Sequence, residues 1–151
     1  MIEIDFPLLK EKLINLPNKF KFTPLMCVCF RGYLTKGGAK DAEVARIDIV
    51  NTLLDAGAET MYSTPDTKMT ATHWAAYRKD AAVVNALLLK GANHFHFSHM
   101  NRLPIDVAGS SRAFDVVDEF LKNYYESVSI NPNQVIHDSL PALQSAGNDD
   151  R

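Results

Sequence analysis

Cysteine is scarce in this chain, and that scarcity excludes a disulfide-stapled fold. Only Cys27 and Cys29 occur in 151 residues. Two positions apart on a helix, they point to different faces and cannot easily bridge. Buried, reduced thiols follow, and with them an intracellular setting, the cytoplasm first. A charge excess is missing too. The formal net charge is −2, which gives no electrostatic argument for nucleic acid, where a basic domain is expected. No apolar run approaches the roughly eighteen residues that span a bilayer, so direct membrane insertion is not expected. The N-terminus, MIEIDFPLLKEKL, mixes acidic residues with short apolar pieces and lacks the apolar core of a signal peptide. Phosphate-loop, G-x-S-x-G and H-E-x-x-H patterns are all absent, so neither a catalytic residue nor a cofactor is expected. What is present is an apolar fraction of 46%, enough for one packed domain.

The stretch from Met69 to Asn93, MTATHWAAYRKDAAVVNALLLKGAN, organises the rest. Thr70 stands where a hydroxyl caps a helix, and His73-Trp74-Ala75-Ala76 fill a short helix that Arg78-Lys79-Asp80 ends. A second helix follows, with Val83, Val84, Leu87 and Leu88 on one face. Gly91 sits where a left-handed C-terminal cap is wanted. Two helices this short cannot bury that face alone, since about a dozen residues is already marginal for an isolated helix. Copies on either side are required.

They are there. Ile49-Val50, Leu53-Leu54 and Gly57-Ala58 repeat Val83-Val84, Leu87-Leu88 and Gly91-Ala92, with 34 residues from Gly57 to Gly91. Leu103-Pro104-Ile105-Asp106-Val107-Ala108 precedes Val116-Val117 and Phe120-Leu121, 33 residues after Thr70. Thr23-Pro24-Leu25-Met26 opens the first unit with a hydroxyl cap and proline at the first helical position. A period near 33 with a T-P-L-H-x-A opening resembles the ankyrin repeat. The resemblance covers roughly residues 23–121. It implies an all-α solenoid of stacked helix-turn-helix units with protruding hairpin fingers, approximately 23–66, 67–99 and 100–126. Residues 1–22 are expected to form an N-terminal capping helix, with Leu8, Leu9, Leu13, Ile14 and Leu16 between Pro7 and Pro17. Residues 127–151 have the composition of an extended tail or linker.

The first unit differs from the others. Thirteen positions separate the opening cap position from the first valine pair in the second and third units, and 26 separate Thr23 from Ile49. The extra chain is RGYLTKGGAKDAEVAR, with Gly32, Gly37 and Gly38 marking a loop and Ala42 to Arg46 able to lengthen the second helix backwards. Such insertions map to loops on one face of an array, often the binding face; a tolerated surface insertion is the alternative. Between units, Thr64-Pro65-Asp66-Thr67 supplies turn chemistry for a finger. The matching join, NHFHFSHMN, alternates His94 and His96 with Phe95 and Phe97, on opposite faces of an extended strand. Three readings stand open there. Phe95 and Phe97 dock a partner; His94, His96 and His99 hold zinc, though without an evident fourth ligand; or one phenylalanine packs below its neighbour while the histidines are solvated.

The third unit departs at both ends. Leu103 replaces the capping threonine, Asp106 replaces the histidine, and Tyr124 stands where the glycine is expected. What the ankyrin resemblance implies for function is adhesion. One or more partner proteins bind a concave face at Phe30-Arg31, Tyr77-Arg78 and Ser110-Ser111, together with the Phe95/Phe97 finger. His73 matches the family's structural histidine, whose ring ties its turn to the neighbouring unit. The leading expectation is a non-catalytic protein-interaction module or scaffold. A permanently embedded structural subunit of a large assembly is the first alternative, and an N-terminal regulatory module of a longer protein the second.

Overall fold

A computed structural model of the chain describes residues 5–31 and 39–128, with side-chain detail for 5–30 and 43–126. The insertion loop with Gly32, Gly37 and Gly38, the Arg31 side chain and the tail from residue 129 lie outside the described residues. Contacts divide the chain into two units, Met1–Phe120 and Leu121–Arg151. Among the described residues there are seven helices: α1 (Phe6–Ile14), α2 (Pro24–Arg31), α3 (Ala39–Asp55), α4 (Ala71–Tyr77), α5 (Ala81–Leu89), α6 (Pro104–Ser110) and α7 (Phe114–Val128). None of the described residues forms a strand. An isolated antiparallel bridge joins Ser63 to Thr70 at the base of a finger.

The first unit is a stack of helix pairs. Helix α2 packs on α3 and α4, α4 on α5 and α6, and α3 on α5. Each short helix spans only about 10 Å, so its stability comes from that packing. Leu25, Met26, Val50, Ala75, Val83, Val84, Leu87, Ala108, Val116 and Phe120 are among the buried core. Each fully buried large apolar side chain contributes on the order of 2 kcal/mol. The valine and leucine pairs expected to face inward do so at Val83, Val84, Leu87 and Leu88.

Helix ends follow the sequence closely. Gly57 and Gly91 have φ of +94° and +79°. Around each, the next two N–H groups reach back to the helix: Gly57 to Leu54 O and Ala58 to Leu53 O, Gly91 to Leu88 O and Ala92 to Leu87 O. This paired pattern satisfies carbonyls the helix leaves free. The turns inside the later helix pairs close in the same way, with Lys79 (φ 60°) and Arg112 (φ 55°) in the left-handed position. Asp80 then caps α5 by accepting from Val83 N–H at 3.2 Å. Its other oxygen pairs with Arg46 Nε on α3 in a mostly buried ion pair. Helix α3 extends backwards past Arg46 to Ala39, further than Ala42, so part of the inserted chain is helical.

Helix α7 has no glycine at Tyr124, and it runs on to Val128. Within the second unit, the Tyr124 and Tyr125 rings lie 5.8 Å apart at 70°. Helix α1 forms where Pro7 and Pro17 bound it, with Asp5 accepting from Leu8 N–H at its start. It buries no residue. A side chain at its end anchors it instead. Asn15 donates to Gly57 O at 3.2 Å and accepts from Glu59 N–H at 2.7 Å.

Two substitutions test this account of the turns. Lys79→Gly removes a Cβ from a left-handed position, where an L side chain costs roughly 1–2 kcal/mol against a glycine entropy penalty of about 0.5–1 kcal/mol. The urea midpoint should rise, by an equivalent of up to about 1 kcal/mol. Asp80→Ala removes the cap of α5 and strands Arg46, and should cost about 2–4 kcal/mol in the same assay.

Candidate functional site

Each of the short helices α2, α4 and α6 is entered through a turn of one design. A polar residue opens it and binds the far end twice, once through its N–H and once through its side chain. Asn18 N–H donates to Phe22 O at 2.8 Å, and Phe22 N–H returns to Asn18 Oδ1 at 3.1 Å. Thr64 and Met69 do the same at 3.1 and 3.3 Å, and Ser98 and Arg102 at 2.9 and 3.2 Å. The residue before the far end is left-handed in all three: Lys21 (φ 63°), Lys68 (φ 52°) and Asn101 (φ 54°). Two of these turns are the expected fingers. The Asn18 turn is a further finger, ahead of α2, in the stretch expected to be a terminal cap.

The helix caps inside this frame are unequal. Thr23 Oγ1 accepts from Met26 N–H at 3.3 Å, as a capping hydroxyl should. At Thr70 the hydroxyl bonds instead to the ring of His73, 2.9 Å from Nδ1. The same Nδ1 lies 3.2 Å from Thr70 N, an N–H that can only donate. Nδ1 is therefore unprotonated, and the proton sits on Nε2, which donates to Arg102 O at 3.0 Å. His73 is fully buried. It joins the start of α4 to the next finger, the structural role that the sequence suggested. At α6, Leu103 offers no hydroxyl, but Asp106 Oδ2 accepts from Leu103 N–H at 2.8 Å. Half of the paired cap thus survives the exchange of histidine for aspartate.

The NHFHFSHMN join settles into turns, not the extended strand expected of it. The alternation of faces persists. Phe95 and Phe97 are 56% and 55% exposed, whereas His94 and His96 are half-buried. Their Nε2 atoms are buried without a hydrogen-bond partner. The histidines therefore pack inward and the phenylalanines face out, the reverse of a packed phenylalanine with solvated histidines. His94 lies 4.2 Å from the Phe95 ring and 6.1 Å from Phe120, and His96 6.2 Å from His73. Exposed His99 donates its backbone N–H to Thr67 O at 2.8 Å. Among the described residues, no three His, Cys, Asp or Glu side chains are grouped to hold a metal ion.

The face that the first helices share with the fingers holds an aromatic cluster. Phe30 of α2 meets Trp74 of α4 edge-on at 4.9 Å; Phe22 lies 5.6 Å from Phe30 and 5.3 Å from Trp74. Tyr77, one helical turn past Trp74 at 6.2 Å, is 55% exposed. The structure thus brings expected Phe30 and Tyr77 together through Trp74. Arg78 is half-buried beside Tyr77 at the end of α4. Ser110 and Ser111 turn their hydroxyls back onto helix carbonyls, Val107 O at 3.0 and 2.8 Å.

Next to this cluster lies a cleft of about 500 Å³, lined by Lys19, Phe20, Lys21, Phe22, Pro65, Asp66, Thr67 and Trp74. Sequence reading missed Lys19, Phe20, Lys21, Phe22 and Trp74 as site residues. Aligning N-x-x-K-x-T at Asn18 with T-x-x-x-K-x-T at Thr64 would have revealed the extra finger. Neither cysteine is in a disulfide; Cys27 Sγ accepts from Asn18 Nδ2 at 3.5 Å, and burial pushes the Cys29 thiol well above its ordinary range, with Asp80 adding to the shift.

Burial holds the His73 pKa below its ordinary 6.5; the neighbouring His96 acts in the same direction, and the bond to Arg102 O opposes them. A depressed histidine means that the unfolded chain takes up its proton first as pH falls. The stability tied to neutral His73 is present above about pH 6.5 and is lost below it. The urea midpoint should therefore drop from pH 7 to pH 5. His73→Gln should start lower and show a shallower decline.

Residues 67–97, which run from the Thr64 finger through α4 and α5 to Phe97, match the ankyrin repeat family. No curated protein matches the chain. That match lies on a stack of paired short helices entered by repeated fingers, and it supports an ankyrin-repeat protein, with the repeat itself matched over residues 67–97.

Proposed function

We propose that this chain is a non-catalytic interaction module, a scaffold that holds a partner protein across its first helices and fingers. Ankyrin repeats generally mediate protein–protein contact, and the observation that carries the reading here is the aromatic cluster. Phe22, Phe30, Trp74 and Tyr77 come from three different elements and converge on one face, with Tyr77 half in solvent. Clusters of aromatic side chains, with arginine nearby, supply most of the energy of protein interfaces. The outward Phe95 and Phe97 extend the same kind of surface along the Ser98 finger. Ser110 and Ser111 complete the proposed face and contribute shape more than hydrogen bonds; the expected Arg31 contact lies outside the described residues. Absence of catalysis is supported by the state of the obvious nucleophile and base. The Cys29 thiol is held neutral by burial, and His73 has both ring nitrogens engaged.

Helix α1 favours a second reading, a subunit embedded in an assembly. Phe6, Leu8, Leu9, Leu13 and Leu16 are all exposed. An apolar hollow of about 470 Å³ runs between α1 and Pro24 and Leu53. Exposed apolar surface of this kind commonly marks an interaction site.

Tyr77→Ala combined with Arg78→Ala tests the leading reading. Loss of two central contacts should weaken partner recovery roughly thirtyfold or more, measured by native pull-down of the intact chain, with helical circular dichroism unchanged. Unaltered recovery rejects this face. A chain that is soluble and folded only with a partner present supports the embedded subunit.

A further inference from the structure

We propose that the cleft between the Asn18 and Thr64 fingers docks an extended acidic segment of a partner protein carrying one bulky apolar side chain. This rests on the interaction reading above and specifies what that face recognises. The neighbouring pair of fingers is closed, because His99 N–H donates to Thr67 O. Among the described residues, no backbone hydrogen bond joins the Asn18 finger to the Thr64 finger. Pro65 at the second finger has no N–H to offer one. What remains is an opening of about 500 Å³, within the roughly 300–1,000 Å³ range of sites that hold a ligand group.

Its lining fixes the chemistry. Phe22 and Trp74 provide an apolar floor, and Phe20 stands 62% exposed at the edge. Lys19 and Lys21 form the rim, and neither is in an ion pair among the described residues. The Lys19 ammonium lies 5.0 Å from the Phe20 ring centroid, a placement that leaves it open to an anion. Asp66 is the carboxylate of the lining, and its Oδ1 accepts from Thr67 N–H at 2.8 Å. Two ammonium groups against one occupied carboxylate make the cleft locally positive on a chain whose net charge is −2. An apolar floor under a cationic rim fits Asp or Glu flanking Phe, Leu or Trp. A free anion would leave the floor unused, and two cations are too few for a nucleic-acid backbone, whose binders neutralise several phosphates.

Trp74 is the chain's single tryptophan, so its fluorescence reports the cleft without a label. Random linear peptides displayed on phage are selected against the full chain, and enriched sequences are synthesised and titrated. Expected are peptides with Asp or Glu beside a bulky apolar residue, a shift in Trp74 emission on binding, and affinity that weakens with salt. Lys19→Glu with Lys21→Glu should weaken binding roughly tenfold or more, while circular dichroism stays unchanged; Lys19→Gln with Lys21→Gln should give a smaller loss. Enrichment of peptides without acidic residues overturns the proposal. So does an empty selection, binding indifferent to the lysine changes, or tighter binding of single-stranded oligouridine than of any peptide. The two readings separate in the native pull-down. Partner recovery that survives the lysine reversal but is lost in Tyr77→Ala/Arg78→Ala removes the acidic dock and leaves the interaction module standing.

Discussion

One imidazole proton organises the middle of this protein. Thr70 N–H can only donate, so it assigns the lone pair to His73 Nδ1 and the proton to Nε2, which then reaches Arg102 O in the following finger. A buried polar group with an unmet bond costs on the order of 1–3 kcal/mol. His73 avoids that cost only when α4 and the next finger are both in place. The bond therefore couples the start of one helix pair to the entry of the next. Helices α4 and α6 are seven residues long, well under what stands alone in water. Their existence depends on such couplings and on the side-by-side burial of Ala75, Ala76 and Ala108. Small residues at those positions let adjacent first helices approach closely, and the histidine fixes their register.

Against that gain stands local strain. Lys21, Lys68, Lys79, Asn101 and Arg112 all adopt left-handed backbone, and only asparagine among these residue types tolerates it readily. Every one falls two or three residues before a helix begins. The turns are therefore imposed by the segments on either side: doubly bonded finger bases in three cases, and paired carbonyl contacts in the other two. Glycine marks the same geometry at Gly57 and Gly91, where the chain leaves a second helix. Tertiary contacts override local preference at the entries, whereas at these exits sequence and geometry agree.

This difference explains which features were legible. Glycine caps, the Thr23 hydroxyl, the Val83-Val84 and Leu87-Leu88 pairs and the structural histidine are encoded locally and sit where the pattern put them, whereas Ile49 and Leu121 of the flanking pairs are exposed. The polar break at Arg78-Lys79-Asp80 is also where α4 stops. Illegible were the features that need two distant segments at once. The Arg46–Asp80 ion pair joins the end of an insertion to a helix cap in the next pair, and spacing alone does not announce it. Asn15 reaching Gly57 and Glu59 is of the same kind. The histidine–phenylalanine run announces its alternation but not which face turns inward. Phe120 and His73 decide that, since each offers an aromatic surface to a histidine ring. The Asn18 finger escapes a search at one fixed spacing because its loop is one residue shorter than that of the Thr64 finger, although both carry lysine at the left-handed position.

Backbone pairing, not loop length, is what separates an open finger pair from a closed one. The Thr64 finger spans one residue more between its paired ends than the Asn18 and Ser98 fingers do. On one side its Thr67 carbonyl meets His99 and the gap is sealed. On the other stand Pro65, which has no N–H, and an Asp66 carboxylate already bonded to its own loop, and no backbone hydrogen bond among the described residues reaches the Asn18 finger. Phe20 and Phe22 of the Asn18 finger and Trp74 of α4 then form the aromatic lining of the cleft. The face is thus specialised by omission. Where the array could have continued its own hydrogen bonding, it leaves a cleft lined by Trp74, Lys19 and Lys21. Of the two finger junctions among the described residues, one is joined by a backbone hydrogen bond and the other is left to side chains.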